Sequence, residues 1–167
     1  IRQTKDKKMW VEGELSNAVL FGQNIFNQKA KYITICEGEV DAMAAYELMG
    51  SKWPSVSIKT GAAGALRDCK EAFNYLDKYD NIIISFDMDK QGQEAAEKVA
   101  QLFAPNKCKI MKMEHKDANE YLKMNQRESF TQAWWNAKSY TPAGIINLKD
   151  LGDKLFEEDY CETCLYP

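Results

Sequence analysis

Asn81-Ile-Ile-Ile-Ser-Phe86 runs directly into Asp87-Met88-Asp89, with Gly92 just beyond. The apolar, β-branched run reads as the strongest strand in the chain, and the acids mark its end. Upstream, Leu66 to Leu76 has helical spacing. Ser55-Val-Ser-Ile58 reads as a strand that leads into the small-residue loop Gly61-Ala-Ala-Gly64. Val40 to Met49 is a helix stopped by Gly50, and Tyr32-Ile-Thr-Ile-Cys36 is the first strand. Downstream, a helix from Gln93 to Phe103 is stopped by Pro105, and Lys109-Ile-Met-Lys-Met113 is a fourth strand. Strand and helix alternate throughout, so the fold class is α/β. A parallel sheet of about four strands is expected, with helices on both faces and right-handed crossovers.

Beyond the fourth strand the pattern is helical, from Asn119 to Met124 and from Glu128 to Ala137, where Trp134 and Trp135 are adjacent. Thr141-Pro-Ala-Gly144 reads as a linker. Leu148 to Phe156 reads as a C-terminal amphipathic helix, with Leu148, Leu151, Leu155 and Phe156 on one face.

The 167 residues suffice for one good core, and 45% hydrophobic with 28% charged residues is ordinary for a globular domain. No apolar run approaches the ~20 residues that span a bilayer, and no signal-peptide pattern is visible, so no membrane association and a cytoplasmic location are expected. Five cysteines, an odd number, argue against a secreted disulfide framework. The net charge of −3 does not advertise nucleic-acid binding, although a carboxylate-rich metal site can mask local basic patches. The chain opens on Ile1 in a basic stretch, which suggests a piece of a longer protein.

In open parallel sheets ligands bind beyond the carboxyl ends of the strands. There the first strand delivers Glu37-Gly38-Glu39-Val40-Asp41, the third Asp87-Met88-Asp89, and the fourth Lys116-Asp117-Ala118-Asn119-Glu120. Carboxylates that converge repel one another unless a cation holds them, and hard oxygen donors suit Mg²⁺ or Mn²⁺. Gly38 would let the backbone turn tightly beside Glu37. The plainer alternative makes these acids helix caps and first-turn charges, with Asn119 capping the next helix and Lys116 a surface charge.

Together, Glu37-Gly-Glu-Val-Asp41, Phe86-Asp-Met-Asp89 and Lys116-Asp-Ala-Asn-Glu120 resemble the Toprim domain of primases, topoisomerases and some nucleases. They look specifically like the phage primase–helicases of the short-tailed coliphage type, with the mitochondrial helicase Twinkle a more distant relative. The resemblance covers roughly residues 31–142. It implies a DNA primase, a nucleotidyltransferase that makes short RNA primers on single-stranded DNA from ribonucleoside triphosphates. It further implies that Glu37, Asp87 and Asp89 are catalytic and hold metal, and that Glu39, Asp41 and Asp117 are accessory acids, Asp41 and Asp117 towards the metal. Lys116 would take part in catalysis and, with Asn119, in nucleotide binding. Arg2, Lys5, Lys7 and Lys8 sit where such primases hold nucleotide phosphates. The longer protein implied is a ring-shaped homo-oligomer with a helicase ATPase, working with a DNA polymerase.

On this reading residues 1–30 are the basic part of a primase core, 31–140 the Toprim domain, and 141–167 a linker and helix towards a helicase domain. The family's template-selecting zinc module and a Walker A motif are both absent from this sequence. Cys161-Glu-Thr-Cys164 has the spacing of half a zinc site, with no second pair. A Toprim nuclease, or a non-catalytic DNA-binding arm of a helicase, remains the alternative.

Overall fold

The computed structural model describes residues 17–142, and its strands form one sheet in the order β2-β1-β3-β4-β5. These are β1 (Tyr32–Cys36), β2 (Ser55–Ser57), β3 (Asn81–Ser85), β4 (Cys108–Ile110) and β5 (Lys138–Ser139). β1 to β4 are mutually parallel, and β5 runs antiparallel to β4 at the edge. The isoleucine run lies at the centre. β3 pairs with β1 along its whole length, from Tyr32 opposite Asn81 to Cys36 opposite Ser85.

Successive side chains of a strand point to opposite faces, and this sheet buries both. Ile82 and Ile84 pack with Ile33, Ile35, Val56 and Val99, while Ile83 packs with Cys36, Ala45, Leu48 and Trp134. The first face is covered by α2 (Ala65–Glu71), α3 (Phe73–Leu76) and α4 (Lys90–Ala100). The second is covered by α1 (Glu39–Leu48), α5 (Ala118–Lys123) and α6 (Arg127–Trp135).

The α/β class holds, with differences that have local causes. β5 is a fifth strand of two exposed residues, too short and polar to leave a periodic signal. The expected helix from Leu66 to Leu76 is two helices, because Ala72 (φ −92°, ψ 10°) leaves helical geometry between them. The fourth strand ends at Ile110. Met111 still donates its N–H to the Ile84 carbonyl at 2.9 Å, and Met111 and Met113 are buried beneath α1, α5 and α6, which accounts for their apolar character. α4 starts three residues earlier than its apolar periodicity suggests, at Lys90, because Asp89 caps it. The expected C-terminal linker helix, the Cys161/Cys164 pair and the basic opening lie outside the described residues.

Candidate functional site

The parallel register of β1 and β3 brings the loops after Cys36 and Ser85 out side by side. Glu37 follows β1 directly, and its Oε1 accepts a hydrogen bond from the Ala62 N–H at 3.2 Å. Its Oε2 is buried without a hydrogen-bond partner among the described residues. Burial, and then the negative charge of Asp87, hold the Glu37 carboxyl above the usual carboxylate range. The Ala62 N–H comes from the loop after β2, where Gly61 adopts φ 68°, a left-handed conformation that suits glycine.

That loop is fastened by Asp68 of α2, which sequence reasoning missed. Asp68 is fully buried, and its Oδ2 accepts from the Lys59 N–H at 2.8 Å, the Thr60 N–H at 3.0 Å and the Thr60 hydroxyl at 2.9 Å. A buried carboxylate is tolerated when it is hydrogen-bonded in this way. The available signal was an acid beside Cys69 and three residues after Ala65, on the face of α2 that enters the core.

Asp87 lies one residue past buried Phe86, and its side chain is 16% exposed. Its Oδ2 pairs with Lys116 Nζ at 2.9 Å, and the Lys116 side chain is 57% exposed. The bond to Asp87, followed by its charge, raises the Lys116 pKa. The backbones of the two loops are joined as well, since the Met88 N–H donates to the Lys116 carbonyl at 3.0 Å. Lys116 is therefore tied to the Asp87 loop rather than being a lone surface charge.

Asp89 and Asp117 are helix caps as well as members of the acidic edge. Asp89 Oδ1 accepts from the Gly92 N–H at 2.8 Å at the start of α4, and Asp117 Oδ1 from the Glu120 N–H at 2.9 Å at the start of α5. In return, Glu120 Oε2 accepts from the Lys116 N–H at 3.1 Å, a reciprocal arrangement close to a capping box. Asn119 is not the cap of α5: it lies in the first turn, and its N–H donates to Asp41 Oδ1 at 3.3 Å. This bond joins α5 to α1, where Asp41 occupies the first turn. Gly38 is not there for a tight turn either. Its φ of −118° and ψ of 157° are extended backbone, and an added Cβ would instead lie 2.9 Å from Asp41 Oδ2.

Burial, and then the charge of Asp117, push the Asp41 carboxyl up to about 6 from 3.8. Below pH 3.8 the group is protonated in folded and unfolded chains alike. As pH rises from there to about 6 the unfolded chain gives up its proton first, so folding loses up to ~3 kcal/mol, and less after allowance for partial exposure. Asp41→Asn keeps an acceptor for Asn119. In chelator at pH 7.5 it should stabilise the fold by ~1–2 kcal/mol, several degrees in Tm, a gain that shrinks towards pH 4. Thermal unfolding across that range is the check, and a gain independent of pH would contradict the assignment.

Among the described residues, no three His, Cys, Asp or Glu side chains are set close enough to cage an ion. The donor set fits a hydrated divalent cation held by one or two carboxylates, the usual mode for Mg²⁺. The unpartnered Glu37 Oε2, destabilised by neighbouring negative charge, is what such a cation would satisfy.

A family model described as Toprim-like matches residues 34–122, and Toprim domains in general bind divalent metal. The chain is 33% identical over 153 residues to the DNA helicase/primase of enterobacteria phage T3, covering 92% of this chain and 27% of that protein. It is 28% identical over 169 residues to the chloroplastic/mitochondrial Twinkle homolog protein of Arabidopsis thaliana, covering 89% and 23%. The chain thus spans about a quarter of the length of the curated relatives it matches. One solved structure contains bacteriophage T7 lagging-strand DNA polymerase with primase domains of two gp4 subunits, an RNA/DNA hybrid and dTTP. It matches with TM-score 0.73 and 34% identity, over 81% of this chain and 69% of that one. The primase fragment of the bacteriophage T7 primase-helicase matches with TM-score 0.63 and 34% identity, over 70% and 48%.

Proposed function

The chain belongs to the Toprim-like family, and on that premise we propose that it is the catalytic unit of a DNA primase. It joins ribonucleoside triphosphates into short primers on single-stranded DNA, using Mg²⁺ or Mn²⁺. The observation that carries this reading is the placement of Glu37 beside the Asp87 loop at the ends of adjacent parallel strands, with one Glu37 oxygen buried and without a hydrogen-bond partner among the described residues. The names of the matched phage proteins, a DNA helicase/primase and a primase fragment, support it.

Asp87 and Asp89 hold the cation, Glu37 stands beside them for a second cation or for the proton, and Asp41 and Asp117 are accessory acids. Held by Asp87 and Asp89, a divalent cation would supply charge to draw in the phosphates, lower the pKa of the attacking 3′-hydroxyl and offset charge on the transferring phosphoryl group. Lys116 exchanges Asp87 for the triphosphate as a point charge. Asn119 and the basic opening (Arg2, Lys5, Lys7, Lys8) contact the nucleotide. The template is held through its backbone, so its binding weakens with salt. Residues 31–140 are the Toprim unit, with 1–30 part of the primase core and 141–167 leading to a helicase domain. The longer protein is a ring-shaped homo-oligomer that hands primers to a DNA polymerase in the cytoplasm of a host cell.

The test is to incubate this chain with labelled single-stranded DNA, all four ribonucleotides and Mg²⁺. Weak dinucleotide synthesis, indifferent to template sequence, is the expected result because no zinc module is present. Cut strands would instead identify a nuclease. Retained DNA binding with neither product would identify a non-catalytic arm.

A further inference from the structure

We propose that a cluster centred on Tyr32, at the opposite end of the strands from the carboxylates, binds single-stranded DNA. Tyr32 opens β1, so five strand residues at roughly 3.3 Å each put the cluster on the order of 16 Å from Glu37. Its ring lies 5.1 Å from Trp53, 5.1 Å from Trp134 and 5.6 Å from Trp135, centroid to centroid. Trp134 is the anchor, buried with its indole N–H on the Thr34 hydroxyl at 2.9 Å, whereas Trp135 is 53% exposed.

Lysines surround these rings. Lys31 and Lys109 place their ammonium groups 5.7 and 6.0 Å from the Tyr32 centroid, and Lys52 lies 5.0 Å from that of Trp53. Asp80, just before β3, is the acid that adjoins them in sequence register.

Three lysines gathered around these rings in a chain of net charge −3 make a local positive field, and the occupant it complements is a polyanion. Aromatic faces interleaved with those charges favour an anion that also carries flat bases. That combination is how proteins hold single strands without reading their sequence. The proposal does not rest on the primase reading, because it needs no chemistry at the carboxylate edge.

The experiment measures binding of a fluorescent oligothymidylate of roughly a dozen nucleotides to the whole chain by anisotropy, in chelator, across a salt series. Trp135→Ala should weaken binding by about tenfold. A triple Lys31→Gln, Lys52→Gln, Lys109→Gln variant should lower the salt slope by roughly two, near 0.7 per lost phosphate contact. Lys98→Gln, on α4 of the other face, should bind like the parent. Thermal unfolding of the variants should be nearly unchanged, which separates lost contact from lost fold. Parent-like affinity in Trp135→Ala and in the triple variant would overturn the proposal and leave the patch to a protein partner. An equal loss in Lys98→Gln would overturn it too, since binding would then reflect overall charge.

Discussion

If the proposed function holds, Asp87→Asn should lower metal-dependent nucleotide joining by at least about a thousandfold in the longer protein, equivalent to ~4 kcal/mol of transition-state stabilisation. The metal-free fold should be unharmed or slightly more stable. Asp87 supplies the leading charge that raises the Glu37 carboxyl, so removing it relieves a repulsion. Its partner Lys116 is more than half exposed, and an ion pair of that kind contributes no more than ~1 kcal/mol. A structural aspartate would give the opposite pattern, with lost stability and a proportionate loss of activity. This chain offers a second readout: Mg²⁺ should raise the parent's melting temperature, because a ligand of the folded state alone stabilises it, and should leave that of Asp87→Asn unmoved. Full primer synthesis by the variant, or an undiminished Mg²⁺ shift, would remove Asp87 from the metal site.

The sheet and its acidic edge were legible because each rests on contiguous residues. Ile82 to Ile84 announce a buried central strand, and acids that follow β1, β3 and β4 must appear at one edge once the strands are parallel. What could not be read was long-range pairing. The Asp87–Lys116 bond, the Ala62 N–H on Glu37 and the Asn119–Asp41 link each join residues 25 or more apart. Asp68 looked like an ordinary helical acid, since its burial depends on where α2 docks. The same holds for the aromatic cluster, where Tyr32 and Trp53 meet Trp134 from the far end of the domain. Capping by itself does not exclude metal binding. Asp89 and Asp117 each use one oxygen to cap a helix, and the cap fixes the orientation of the carboxylate.

Gly92→Ala should be the most damaging single-atom change in the domain, costing the fold more than ~2 kcal/mol and disabling the carboxylate edge. Nothing in the local backbone demands glycine there, because Gly92 lies in the first turn of α4 without a positive φ. Intrinsic propensity would even favour alanine in a helix by ~1 kcal/mol. The obstacle is what the methyl would meet: the Asp87 carbonyl oxygen at 2.4 Å, with the Asp87 carbonyl carbon and amide nitrogen at 3.1 Å. These are main-chain atoms, so no rotamer change relieves the clash. α4 cannot retreat, since Ala95, Ala96, Val99 and Ala100 fix it against the sheet. The loop carrying Asp87 to Asp89 must move instead, which stretches the Asp89 cap and misplaces both carboxylates, and a shift approaching 1 Å costs on the order of a hundredfold in rate. Gly38→Ala is the control. Its Cβ would press on Asp41 Oδ2, the tip of a side chain that can turn, so its cost in stability should stay under ~1 kcal/mol. Thermal unfolding in chelator and in Mg²⁺ tests the pair. A Gly92→Ala protein that melts with the parent and keeps the parent's Mg²⁺ shift would show that the close approach of α4 to the Asp87 loop does not hold the carboxylates in place.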